Sequence, residues 1–150
     1  MIERLMKKKD GFGLALLVFL SVAYFFLFSI SKVSAAEFNL VSDNKNIQIG
    51  DQFEVKVLLN SENESINAME GVAVFLQDAM VLKEVKSGNS IISFWSQPPK
   101  ASGNQVRFSG LVPGGYAGRN GLIFSMVFEA KSESIGVVEL NKAVALLNDG

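Results

Sequence analysis

Alternation of apolar and polar residues with a period of two limits what most of this chain can become. Phe53, Val55, Val57 and Leu59 alternate with Gln52, Glu54, Lys56 and Leu58. Leu122, Phe124, Met126, Phe128 and Ala130 alternate with Ile123, Ser125, Val127 and Glu129. Successive side chains of a strand point to opposite faces, so each stretch predicts a strand with one face on a core. Val106 and Phe108 flank Arg107 in the same way. Further strand candidates are 38–41, 46–49, 66–76, 81–85, 91–95, 137–140 and 143–147. Turn-forming residues separate them: Gly50-Asp51, 61–65, Ser87-Gly88-Asn89, Pro98-Pro99, Ser102-Gly103-Asn104, Pro113-Gly114-Gly115 and 118–121. Glycine and asparagine there supply positive φ, and proline presets φ in the negative range. No stretch after Ala36 carries a helical stripe. Many short strands at this spacing predict an all-β sandwich.

The strand at 66–76 is apolar on both sides. One side carries Ala68, Glu70, Val72, Val74 and Leu76; the other carries Met69, Gly71, Ala73 and Phe75. A sandwich buries one side of each sheet. The second side is therefore either covered by another segment or left as an apolar patch that binds something. Ile123 and Val127 repeat the pattern on the strand at 122–130. If the two strands are neighbours, the binding reading gains. Glu70, Val72, Val74 and Ile123 are the candidate contact residues from this reasoning.

The N-terminal part is of another kind. Arg4, Lys7, Lys8 and Lys9 form a basic start, residues 11–31 carry no charge, and Ser34-Ala35-Ala36 supplies small residues before Glu37. These are the three parts of a secretory signal peptide, with the cut expected after Ala36. The uncharged run is also long enough to span a bilayer as one apolar helix and remain as an anchor. The sequence favours cleavage, and both readings put the body outside the cytoplasm, secreted or at the cell surface. The expected organisation is a signal or anchor over 1–36 and one domain over 37–150, with the N-terminal segment meeting the membrane during export or as a tether.

Composition then excludes several classes. The body has 114 residues, enough for one core. It carries nine Lys and Arg against thirteen Asp and Glu, a net charge of −4, with no basic cluster in the sequence for nucleic acid. With no cysteine, no disulfide holds it. With no histidine it lacks the commonest general base and the usual zinc ligand. Carboxylate chemistry remains open, but the acids are scattered and no two can be paired from the sequence; no cofactor or metal site is read from it. Asp43 with Asn44, and Asn148 with Asp149, lack the spacing of a calcium loop and read as solvated turns. Asn63-Glu64-Ser65 matches a glycosylation sequon, which matters only in a glycosylating host. Gly114-Gly115-Tyr116-Ala117-Gly118 lacks the Lys-Ser/Thr ending of a phosphate loop.

Several segments together resemble the cohesin family. Gly50-Asp51-Gln52-Phe53 is similar to the turn that opens its second strand. Ile66-Asn67-Ala68-Met69-Glu70-Gly71 stands where the family has its long third strand, and Val81-Leu82-Lys83-Glu84-Val85 resembles its "K-L-E-V" strand. Gly118 and Gly121 before 122–130 match its late glycine turn and following strand. The stretch 145–150 resembles its closing "A-x-x-N-D-G", usually followed by more sequence. Ser90-Ile91-Ile92-Ser93-Phe94-Trp95 with a following proline is similar to single cohesin-like domains of exported bacterial proteins.

The resemblance covers nearly all of 38–150. It implies a jelly-roll-type β-sandwich of about nine strands, here preceded by the N-terminal apolar helix, and no catalysis. It implies attachment to dockerins, small calcium-loaded modules of other proteins, through one sheet face. The family's Asn and Asp contacts on the third strand fall on Ala68 and Glu70. Its Tyr-Asp-Pro is Phe75-Leu76-Gln77 here. Because cellulose- and chitin-binding modules share the fold, a polysaccharide is the neighbouring partner class, and a structural module of a larger surface protein is a third reading. Trp95, the only tryptophan, is the residue a sugar ring would stack on; otherwise it belongs to the core edge. Tyr116 is either a loop-tip contact or a plug over the end of the sandwich.

Overall fold

The computed structural model of the protein describes residues 36–42, 46–133 and 136–147. The expected apolar helix, the Asp43-Asn44 pair and the Asn148-Asp149 pair lie outside the described residues. Eight strands are present: β1 (Glu37–Ser42), β2 (Gln52–Asn60), β3 (Ile66–Phe75), β4 (Met80–Lys86), β5 (Phe94–Ser102), β6 (Gln105–Tyr116), β7 (Gly121–Ala130) and β8 (Val138–Leu147). They form two four-stranded antiparallel sheets. Sheet A has the order β1-β2-β7-β4 and sheet B the order β5-β6-β3-β8.

The core forms where the alternating positions of both sheets meet. Phe53, Val55, Val57 and Leu59 of β2 and Phe124, Met126 and Phe128 of β7 face Met69, Ala73 and Phe75 of β3 and Val106 and Phe108 of β6; all are buried. Two ring pairs join the sheets. Phe75 meets Phe128 edge-on at 5.1 Å, and Phe108 meets Phe124 at 5.1 Å. Each pair adds a preferred geometry to the apolar burial that holds the layers together.

Four sequence expectations are corrected. The candidates 137–140 and 143–147 are one strand, β8, interrupted by a bulge. Lys142 has φ +53°, and between the pairs Val72–Asn141 and Glu70–Val144 β8 has two residues, Lys142 and Ala143, where β3 has one, Gly71. The segment 46–49 is not a strand; it ends in a turn where Gln48 N–H donates to the Asp51 carboxylate. Pro98 and Pro99 are not a turn but lie inside β5, an edge strand, where two register shifts accommodate them. Pro113-Gly114-Gly115 likewise lies inside β6, with Gly114 and Gly115 at positive φ.

Candidate functional site

Among the described residues, the outer face of sheet B displays a cluster of exposed apolar side chains. Strand register builds it in transverse rows. Phe94 of β5 pairs with Leu111 of β6, Leu111 with Ala68 of β3, and Ala68 with Leu146 of β8. Phe94 is 59% exposed, Leu146 56% and Leu111 43%. The next row runs Gln97, Ser109, Glu70, Val144, and the third Lys100, Arg107, Val72, Asn141. The face is therefore apolar at one end and polar and charged toward the other. Ser96 and Ser109 hydroxyls bond at 2.9 Å across β5 and β6, and Arg107 donates to Gln105 at 2.9 Å.

The candidates from β3 share this face. Glu70 is exposed, and Val72 and Val74 are half-buried, on the side opposite the buried Met69, Ala73 and Phe75. Ile123 does not join them. It is 0% exposed, and β7 belongs to the other sheet, so β3 and β7 are not neighbours. The chain between β4 and β5 runs alongside it: Ser90 Oγ donates to the Ile123 carbonyl at 2.6 Å, and Ile91 N–H donates to the Leu122 carbonyl at 2.8 Å. Ile123 is core and is removed from the contact set. Trp95 is half-buried and packs against the core, while its neighbour Phe94 takes the exposed position.

Tyr116 is a plug. Its ring and hydroxyl lie over Gly118 and Gly121, where an added Cβ would come within 2.8 Å and 2.5 Å of it, and its hydroxyl donates to the Arg119 carbonyl at 3.2 Å. Beside it, Ser61 is fully buried and ties two loops together. Gly118 N–H donates to Ser61 Oγ and Ser61 N–H to the Gly118 carbonyl, both at 2.9 Å. Among the described residues, no three His, Cys, Asp or Glu side chains gather to hold a metal ion.

Sequence reasoning missed Phe94, Leu111, Leu146 and Arg107 as members of this face. The signal for two of them was present. Leu111 alternates with the buried Val112, and Phe94 with Trp95, so each could have been placed on the side away from the core.

The arrangement is a jelly-roll-type antiparallel sandwich with a four-stranded sheet face left open to solvent. More specifically, it is the cohesin fold. The cohesin module of a Clostridium perfringens family 33 glycoside hydrolase superposes with a TM-score of 0.60 at 19% identity, over 80% of this chain and 87% of that one. A non-cellulosomal cohesin from Archaeoglobus fulgidus gives 0.60 at 15% identity, over 78% and 81%. A type I cohesin solved with its dockerin, from Clostridium thermocellum, gives 0.58 at 19% identity, over 77% and 89%. No protein-family model and no curated protein sequence matches the chain.

Proposed function

We propose that this chain is a non-catalytic binding module that holds a partner protein of the dockerin type on the outer face of sheet B, outside the cell. The observation that carries this reading is the row Phe94–Leu111–Ala68–Leu146, which crosses all four strands of one sheet beside the exposed Glu70. A flat apolar area with polar groups at its margin supports protein association, because the desolvated centre supplies affinity and the margin sets orientation. The solved cohesin–dockerin complexes among the structural neighbours support the same class of partner. The polysaccharide reading has less support, since Trp95 packs against the core and Phe94 is the one aromatic on these rows.

The test uses purified, calcium-loaded dockerin modules of the kind seen in those complexes. Capture by the wild type and its loss in the double variant Leu111→Asp with Leu146→Asp, which charges the apolar row, is the expected result. A folded double variant that captures as well as the wild type refutes the face.

A further inference from the structure

The two sheets treat their cations differently. On sheet A, Lys83 Nζ lies 2.9 Å from Glu129, and Lys86 Nζ lies 4.0 Å from Glu54 and 3.8 Å from Glu84. Glu54 also accepts from Ser125 Oγ at 2.7 Å. On the outer face of sheet B, Lys100, Arg107 and Lys142 make no ion pair with any described carboxylate, and the guanidinium of Arg107 donates to the neutral Gln105 amide instead. Register gathers these three into one band. Lys100 is opposite Arg107, Arg107 is opposite Val72, and Val72 is opposite Asn141, the residue before Lys142.

Arg107 and Lys142 also line a single depression of about 170 Å³, together with Glu70, Gln97 and Ser109. Lys142 is the bulged residue of β8 at positive φ, and a bulge re-aims the side chain it carries. Glu70 at this depression makes no ion pair with either cation. The body as a whole is acidic, so this positive band is a local feature of one face and not a reflection of net charge.

We infer that the band reads carboxylates. Resting on the proposed binding face, the inference is that the partner protein lays an apolar ridge along Phe94, Leu111 and Leu146 and sets acidic side chains between Arg107 and Lys142. Guanidinium and ammonium groups left without an internal carboxylate match a partner's carboxylates in charge and in hydrogen bonding. Because the apolar row and the cationic band lie at different levels of the same strands, the face accepts such a ridge in one direction only. Glu70 beside the cations disfavours a continuous polyanion such as nucleic acid, and favours a protein with a few placed acids.

The test compares two helical peptides that share a leucine ridge and differ only in a pair of residues at one end, both glutamate or both lysine. Fluorescence anisotropy should show the wild type binding the acidic peptide about tenfold more tightly, with the margin shrinking as salt is added. Arg107→Glu with Lys142→Glu should reverse the preference, and Leu111→Asp should weaken both peptides. A wild type that binds the two equally, binds neither, or prefers the basic one overturns the charge assignment, and dockerin capture judges the face separately. Peptide binding unmoved by Leu111→Asp overturns the face and this inference with it.

Discussion

Gly71→Ala tests the packing beneath the proposed binding face directly. Gly71 is buried in the middle of β3, and an added Cβ would lie 2.9 Å from Phe108 Cε1, 3.0 Å from its Cζ and 3.3 Å from the Ala143 Cα. The Phe108 ring cannot move freely, being 1% exposed and packed on Phe124 at 5.1 Å. One methyl forced into a close-packed site costs about 1–3 kcal/mol. The backbone of Gly71 is not at positive φ, so alanine also brings a gain of about 0.4–1 kcal/mol by restricting the unfolded chain. The net expectation is a loss of about 1–2 kcal/mol, since the clash outweighs the entropy term. For a domain of this size that lowers Tm by about 4–10 °C. Thermal and urea unfolding followed by circular dichroism measure it. The cause is checked by repeating the substitution in a Phe108→Leu background, where the clash is relieved and the cost should fall by at least about 0.5 kcal/mol. A Gly71→Ala protein as stable as the wild type refutes the reasoning, as does a cost unchanged in the Phe108→Leu background.

Other substitutions separate structural from recognition roles. Ser61→Ala leaves the Gly118 N–H without its acceptor and should cost about 1–3 kcal/mol in urea unfolding, with dockerin capture unchanged. Trp95→Ala should cost about 1–3 kcal/mol from lost core packing while leaving capture intact; loss of capture at full stability would return Trp95 to the contact set. Arg107→Glu should leave stability within about 0.5 kcal/mol of wild type, because the side chain is exposed and bonded only to a neighbouring amide. Tyr116→Phe should change stability by less than about 0.5 kcal/mol, whereas Tyr116→Ala should cost about 1.5–3 kcal/mol, since the ring and not the hydroxyl covers Gly118 and Gly121.

The sandwich was legible wherever one side chain in two was apolar. β2 could be read directly, because burial on one face leaves a period of two in the sequence, whereas β7 also buries Ile123 and Ser125 and bulges against β2 at Ile123. β8 could not be read as one strand, since the bulge at Lys142 shifts that period midway. Pro98-Pro99 looked like a turn because proline cannot serve in an interior strand. An edge strand has a side that donates no hydrogen bonds, and β5 uses it. On the site, Glu70, Val72 and Val74 were legible as one side of β3. Their neighbours Leu111, Leu146 and Arg107 were not, because they are joined to β3 only through pairing between strands remote in sequence. Ile123 was misplaced for the same reason: nothing local shows that the chain after β4 returns along β7 at that position.

The prolines of β5 and the bulge of β8 stand at the two margins of sheet B. Both margins are irregular, and prolines and bulges at a sheet edge disfavour its extension by a visiting strand. What remains for recognition is the pattern of side chains on the open face. A partner held through main-chain ladders would be nearly indifferent to point changes. One held through side chains on a rigid plateau can be exchanged for another by altering a few exposed residues while the scaffold stays as it is. On the proposed binding face, single substitutions at Phe94, Arg107 or Leu146 would change the attachment without refolding the scaffold.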